Sequence, residues 1–404
     1  MPHFARNLWL LLGQNVAVFL GIALQALILN LYLVALGYRE DFIGLVVFAQ
    51  TAAIGVGALP AGWLSPRLGP RRCLIAATLL LAGSFAAMAV IEQPAPLLAA
   101  SATNGLSMAL IFVPSAPYLM ENTRGDQRRA AFAANFAALS VASVVGNGIG
   151  GVLPGIVAGD PSASPSQAVL GYRAALLVGA ALTALGVAPL LLADDRRIAE
   201  PSGGARPAPV GAGAPAAPPR SLRRDLLSMI AAVACLAGAT GLVVAFFNVF
   251  LRDEIGVPTE AIGTVFAIGS FMMAPASLGA PALARRWGSI RTIALSRLLL
   301  VPLIALLLVP SPGLGLAAFA FIGRQALMSV GQPLDNAFVM ELVPARERAR
   351  AAALRTMAWN SGWAAATALG GLAIVWLGYR AIFLTAVLLT AAAVVVHWRA
   401  FRGR

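Results

Sequence analysis

No lysine occurs among the 404 residues of this chain, so its formal net charge of +13 comes from 29 arginines set against 16 acidic residues. The Walker A loop of many nucleotide hydrolases needs a lysine to contact the nucleotide phosphates. The lack of lysine therefore excludes such a loop, and the chain is not expected to hydrolyse ATP by itself.

Histidine and cysteine are nearly absent as well, with two residues of each type. His3 and His397 lie at opposite ends of the sequence, which argues against a histidine metal site or a serine–histidine pair inside the chain. Cys73 and Cys235 are predicted at different depths and are expected to stay as two thiols. We therefore predict no enzyme activity, no catalytic residues, no metal and no cofactor.

Apolar residues dominate what is present: they make up 59% of the chain, whereas charged residues make up 11%. A soluble domain has about 25% charged residues. Twelve apolar segments are long enough to cross a bilayer as helices, which needs about 20 residues each. They cover residues 8–36, 42–64, 73–91, 97–119, 131–157, 172–192, 226–250, 261–283, 292–309, 314–340, 351–376 and 380–398.

The arginines show which ends of these segments face the cytoplasm. Of the 29, 22 fall in the termini and in alternate loops, all on one predicted face of the membrane. Because basic loops stay on the cytoplasmic side, we predict a multi-pass inner (plasma) membrane protein with both termini in the cytoplasm. The positive charge then faces an anionic lipid leaflet, and no nucleic-acid partner is predicted.

One segment is not predicted to enter the membrane. Residues 193–225 include a stretch rich in proline, alanine and glycine from Pro201 to Pro219, which cannot bury a core and predicts a flexible cytoplasmic linker. This linker separates a half at 1–192 from a half at 226–404, each with six predicted spans.

The two halves repeat each other in sequence. Aligning Gly37 with Gly256 brings glycines and arginines of the first half onto identical residues of the second, and a pentapeptide follows near the sixth span of each. The pairs include Gly44 with Gly263, Arg67 with Arg286, Gly69 with Gly288, Arg72 with Arg291, Gly150–Gly151 with Gly370–Gly371, and Leu170–Ala174 with Leu377–Ala381. Matching glycines and arginines are stronger signs of a repeat than matching apolar runs.

Two parallel six-helix repeats are the architecture of major facilitator transporters, and the chain resembles that family over nearly its whole length. The loop after the second span is similar to the family signature G-x-x-x-D-R-x-G-R-R-[RK], with Pro66 in the aspartate position. The matching residues are Gly62, Arg67, Gly69, Arg71 and Arg72. The resemblance implies an all-α membrane fold of twelve helices and a gating role for this loop. Basic anchoring on the cytoplasmic side is the alternative reading of the arginines.

A second motif lies in the fifth span, where Gly146, Gly150 and Gly151 follow the spacing G-x-x-x-G-P-x-x-G-G found in exporters of the family. Asn147 replaces the proline, and the eleventh span repeats the pattern at Gly370 and Gly371. Small residues at every fourth position let two helices approach closely. The motif predicts tight helix packing and favours export.

The tenth span is unusually polar, with Arg324, Gln332, Asp335 and Asn336 inside it. Eleven residues separate Arg324 from Asp335, about three helical turns, so both are predicted on one face. An intramembrane charge usually faces a cavity or a partner. Arg324 would suit a solute carboxylate or phosphate, with a structural ion pair as the alternative. Asp335 is the acidic candidate for proton coupling.

Amides add further candidates on the helices that line the cavity in the resembled family. Asn104 in the fourth span is equivalent to Arg324, Asn30 and Asn248 take similar places in spans one and seven, and Gln25 also lies in span one. An isolated amide in a membrane helix can also serve only to hold helices together.

The sequence therefore predicts a secondary transporter, acting as a monomer among membrane lipids, that exports a small organic solute by alternating access. Protons are the candidate coupling ion. A proton-linked importer of an organic anion or sugar, and a lipid flippase using the same cavity, are the alternatives.

Overall fold

The computed structural model describes residues 6–123, 127–159, 164–193, 220–343 and 348–401, and all regular structure within them is helical. Of the predicted linker at 193–225, residues 194–219 lie outside the described residues, whereas residues 220–225 form the start of a helix. The helices are α1 (Arg6–Ala35), α2 (Glu40–Leu68), α3 (Pro70–Val90), α4 (Pro94–Glu121), α5 (Arg128–Ala158), α6 (Pro165–Leu185), α7 (Val187–Leu191), α8 (Arg220–Val244), α9 (Phe247–Asp253), α10 (Thr259–Trp287), α11 (Ser289–Ala305), α12 (Leu314–Leu342), α13 (Arg348–Leu377) and α14 (Tyr379–Phe401).

Each of the twelve predicted spans corresponds to one long helix or to two consecutive helices. The sixth span consists of α6 and α7, and the seventh of α8 and α9. Eleven of the segments are long and apolar enough to cross a membrane by length and composition. Helix α13 has 30 residues but is not among them, and its first eight residues include three arginines. The prediction of an all-α membrane fold is confirmed.

The packing of the helices repeats between the halves. In the first half α1 packs on α5 and α6, α4 packs on α2 and α3, and α3 packs on α6. In the second half α8 packs on α13 and α14, α12 on α10 and α11, and α11 on α14. The turns repeat too: Gly69 and Gly288 both have φ 84°, a left-handed conformation that favours glycine. The sequence repeat thus corresponds to two similarly packed six-helix units.

The halves meet where α2 packs on α13, α5 on α10, and α1 on α9. Their polar contacts cluster at the end of the bundle that carries residues 36–39 and 254–258, which we call the closed end. The opposite end carries the turns at Gly69 and Gly288, and we call it the arginine-rich end.

Glycines permit two equivalent backbone contacts at the closed end. A Cβ atom added to Gly263 on α10 would lie 2.8 Å from the Asn147 carbonyl oxygen and 3.0 Å from the Gly151 amide nitrogen on α5. The repeat partners of Gly263 and Gly151 are Gly44 and Gly371, which bring α2 against α13 in the same manner. Both crossings therefore require a residue without a side chain.

The tyrosines of the repeated pentapeptide also join the halves. Tyr172 and Thr259 share a hydrogen bond of 2.9 Å between their hydroxyls, and Tyr379 donates to Glu40 Oε1 at 3.2 Å. In the repeat register Thr259 aligns with Glu40, so these are the same contact made twice. The pentapeptide recurs in the sequence at the positions that hold the closed end together.

Candidate functional site

A cavity of about 320 Å³ lies between the two halves, where α1, α2 and α4 face α8, α10 and α13. Its polar groups are amides and a hydroxyl, its wider surfaces are apolar and aromatic, and none of its described lining residues is charged. The lining consists of Ile22, Gln25, Ala26, Leu29, Asn30, Val47, Gln50, Thr51, Ile54, Met108, Val244, Ala245, Phe266, Trp359, Asn360 and Trp363.

Two asparagines close this cavity toward the closed end. Asn30 on α1 donates to the Ala245 carbonyl at 2.6 Å, and Asn248 on α9 donates to the Leu27 carbonyl at 2.7 Å. Ala245 lies in the break between α8 and α9, where the Asn248 side chain accepts from the Val249 amide at 3.0 Å. That amide would otherwise bond the Ala245 carbonyl, which is left to accept from Asn30. Both asparagines thus join the halves, and Asn30 also lines the cavity.

Asn104 lies one layer behind the cavity surface. It is fully buried on α4, and its Oδ1 accepts from Gln50 Nε2 at 2.8 Å. Its Nδ2 has no hydrogen-bond partner among the described residues. Asn104 therefore orients Gln50, which lines the cavity directly together with Gln25.

Sequence reasoning missed Gln50, Thr51 and Asn360. Gln50 and Thr51 are adjacent polar residues inside an otherwise apolar span, which was a usable signal. Asn360 lies between Trp359 and Trp363, which make a tilted ring contact at 6.3 Å and line the cavity on the side of α13. The aromatic surface of the cavity therefore comes from the second half.

Arg324 does not line this cavity. Its side chain is buried on α12 at 3% exposure and donates to Oε1 of the adjacent Gln325 at 2.9 Å. Asp335, predicted on the same face of α12, borders a much smaller space inside the second half together with Met328 and Gly331, which lie between the two charged residues. The shared face therefore points into the second half rather than toward the first.

Asp335 holds three helices together. Its carboxylate pairs with Arg297 on α11 at 2.9 Å and with Arg355 on α13 at 3.1 Å. The side chains of Asp335 and Arg297 are 7% and 5% exposed. Arg297, Asp335 and Arg355 form one group of charges, which we call the ion triad.

The central cavity continues toward the arginine-rich end as a vestibule of about 250 Å³. It is lined by Gln332, Arg355, Thr356, Trp359 and Asn360, of which the last two also line the cavity. The side chain of Asn336 lies outside the described residues. A solute entering from this end would therefore pass a guanidinium before reaching the amides.

The signature loop anchors the arginine-rich end of the first half. The Arg67 guanidinium lies 3.5 Å from the centre of the Trp63 ring. Arg71 donates to the carbonyls of Leu190 at 2.7 Å and Leu191 at 3.0 Å, which ties α3 to α7. Arg72 is exposed, and a Cβ atom on Gly62 would meet open space.

The glycines of the second motif lie at close helix crossings. A Cβ atom on Gly146 would contact the Leu20 carbonyl of α1, and one on Gly150 would lie 3.1 Å from Leu27. Gly370 is similarly close to Leu242 on α8 and to Phe246 in the break between α8 and α9. Gly151 and Gly371 instead face the opposite half at the closed end.

Comparison with known proteins identifies this architecture. The family model of the Major Facilitator Superfamily matches residues 11–367. No curated protein matches the chain by sequence.

Solved structures match its fold over nearly the full chain. A mutant of the nucleoside transporter NupG superposes with a TM-score of 0.77 at 17% identity, covering 97% of this chain and 100% of that one. A bacterial homolog of the human lysosomal transporter Spinster, inward-facing and occupied, gives 0.73 at 14% identity, with coverages of 98% and 96%.

The peptide transporter POT, as a mutant in complex with sulfate, gives a TM-score of 0.75 at 14% identity, with coverages of 98% and 95%. At these identities the likeness concerns the fold. The family match, the repeated six-helix units and the cavity between them agree: the chain belongs to the major facilitator superfamily and is a membrane transporter rather than an enzyme.

Proposed function

We propose that this protein is a secondary active exporter of a small, uncharged polar solute that carries a ring, and that it works by alternating access. The observation that supports this proposal is the cavity between the halves, whose lining combines amides with two tryptophans and ends at the paired contacts of the closed end. Rocking the halves would open the closed end and expose the same residues to the other side.

The lining supports an uncharged solute better than an organic anion. Amide side chains offer both donors and acceptors, and tryptophan rings can stack on a planar group. Arg324, which suggested an anion, is buried inside the second half. Arg355 lies beside the cavity in the vestibule, where it is already paired with Asp335.

Replacing Gln50 by alanine tests the cavity. The loss of one hydrogen bond to the solute is expected to weaken solute binding by about three- to tenfold. Counterflow of a panel of labelled polar solutes into liposomes containing the purified protein measures this. Gln167→Ala is the matched control, because Gln167 is exposed at the start of α6 and does not line the cavity.

Three results of this assay would redirect the proposal. Equal counterflow by wild type and Gln50→Ala would place the solute elsewhere. Transport of organic anions alone would restore the anion hypothesis. Translocation of a labelled phospholipid, without counterflow of any solute, would favour the flippase. An imposed pH gradient in the same liposomes tests coupling to protons.

The direction of transport is part of the proposal and rests on the motif in α5 and on membrane orientation. With the arginine-rich end in the cytoplasm, the cavity would be accessible from the inside and closed toward the outside. This is a state in which an exporter takes up its solute. Transport into inside-out vesicles, but not into right-side-out ones, is the expected behaviour.

Cysteine labelling tests the orientation. In a variant without the two native cysteines, Gln93→Cys between α3 and α4 should react with an impermeant maleimide added to intact cells. Ser289→Cys, an exposed position at the opposite end, should react only after the membrane is opened. The reverse pattern would invert the topology and with it the proposed direction.

A further inference from the structure

A second concave surface lies on the outside of the bundle, not between the halves. It is a groove of about 640 Å³ between α11 and α14, closed at one end by the last residue of α10. Its lining consists of Trp287, Arg291, Ala294, Leu295, Leu298, Val394, Val395, Trp398 and Arg399. We call it the lateral groove.

The charge in the lateral groove is confined to one end. Arg291 is in the first turn of α11 and Arg399 is near the end of α14, so both guanidiniums lie at the arginine-rich end. Leu298 is seven residues beyond Arg291, about 10 Å deeper along the helix axis. The lining therefore changes from cationic to wholly apolar over that depth.

The apolar part of the groove faces the membrane interior. Leu298 and Val395 are 52% and 46% exposed, and both lie on helices that are long and apolar enough to span a membrane. Trp287 and Trp398, 43% and 44% exposed, flank the charged end. Tryptophans concentrate at the depth of the lipid headgroups, so the cationic end is at the interface and the apolar end lies among acyl chains.

The two guanidiniums are not used by the protein itself. Both Arg291 and Arg399 are exposed, and neither has an ion-pair partner in the part of the chain that the structure describes. A phosphodiester between them could accept hydrogen bonds from both. Basic pockets between membrane helices on the cytoplasmic side are suited to anionic headgroups in this way.

The first half lacks the equivalent features. In the repeat register Trp287 and Arg291 align with Leu68 and Arg72, and the pentapeptide register places Leu191 and Leu192 at the positions of Trp398 and Arg399. Of the two tryptophans and two arginines of the lateral groove, only one arginine therefore has an identical counterpart in the first half. The lateral groove is thus an addition to the second half and not a consequence of the repeated fold.

We infer that the lateral groove binds an anionic glycerophospholipid, with its phosphate between Arg291 and Arg399 and an acyl chain along Leu295, Leu298 and Val395. The cationic end matches the charge of the headgroup, and the apolar end matches the chain attached to it. This site is separate from the central cavity and does not depend on which solute the protein transports.

Native mass spectrometry of the purified protein, titrated with phosphatidylglycerol or phosphatidylcholine, tests the inference. Wild type should retain phosphatidylglycerol at least about tenfold more tightly than phosphatidylcholine, and Arg291→Gln/Arg399→Gln should lose that preference. Arg72→Gln/Arg285→Gln is the charge-matched control, because it removes two exposed arginines from the same end outside the groove. Loss of the preference in both double variants alike, or in neither, would overturn the assignment.

A second pair of variants tests the acyl-chain part with both arginines intact. Leu298→Trp fills the groove and should reduce phosphatidylglycerol retention about tenfold, whereas Leu299→Trp, at an exposed neighbour outside the lining, should not. Unchanged retention in Leu298→Trp, or displacement of the lipid by millimolar inorganic phosphate, would show that a headgroup alone binds and would refute the lipid site. Equal melting temperatures of the variants show that they remain folded.

Discussion

Gly263→Ala is expected to reduce transport by about tenfold or more, although it adds a single methyl group and changes no residue that lines the cavity. The added Cβ atom would lie 2.5 Å from the Gly151 Cα and 2.8 Å from the Asn147 carbonyl oxygen. Both are backbone atoms of α5, so α5 and α10 must separate. Overpacking of this kind costs about 1–3 kcal/mol, and it acts only on the state in which the closed end is shut.

The measurement is counterflow in liposomes together with distances between spin labels across the closed end. We expect longer distances in Gly263→Ala, because destabilising the state in which the closed end is shut shifts the population toward the state in which it is open. Gly279→Ala is the control on the same helix, since a Cβ atom there meets nothing within 4 Å. Wild-type distances and rates in Gly263→Ala would mean that this crossing does not control the gate.

Asp335→Asn is expected to lower the melting temperature of the protein by several degrees and to reduce its yield. The substitution removes the only negative charge of the ion triad and leaves Arg297, 5% exposed, without its counterion. Breaking a buried ion pair from one side costs about 3–5 kcal/mol. Glu254→Gln serves as the control, because it neutralises an exposed carboxylate between α9 and α10.

A double variant separates a structural role from a role in coupling. Arg297→Met/Asp335→Leu removes the buried pair as a unit and should recover part of the stability lost in Asp335→Asn, since an apolar replacement of a buried pair is often tolerated. Arg355 is half-buried and can turn to the vestibule. If Asp335→Asn instead melts like wild type but no longer accumulates solute against a gradient, Asp335 carries the coupling predicted from the sequence.

The spans and the repeat could be predicted because they depend on local properties. Apolar runs of sufficient length define helices in a bilayer, and Gly69 and Gly288 mark the same turn in both halves whatever surrounds them. Helical periodicity also places Arg324 and Asp335 on one stripe. Periodicity does not determine where that stripe points, because the rotation of α12 is set by its contacts with α10 and α11.

The cavity was harder to predict because its residues come from six helices and from both halves. Gln50 and Asn360 are 310 positions apart in the sequence, and no local pattern connects them. Asn30 and Asn248 were recognised as related, but their bonds to backbone carbonyls depend on the break at Ala245 and Phe246. The polarity of a residue could be read from the sequence, whereas its hydrogen-bond partner could be identified only once the packing of the helices was known.

The break between α8 and α9 also makes the two halves mechanically unequal. Helix α1 is a continuous rod of 30 residues, whereas its counterpart is interrupted, and the short α9 is held to α1 through Asn248 and Arg252. Stiffness is lowest where helical hydrogen bonds are missing, so the compliant joint lies at Ala245 and Phe246. The rings of α9 remain packed in the second half, where Phe247 stacks on Phe321 of α12 at 4.3 Å and Phe250 lies edge-on to Phe383 of α14 at 4.9 Å. Helix α9 therefore contacts both halves, and a rocking motion between them would bend the seventh span at this joint.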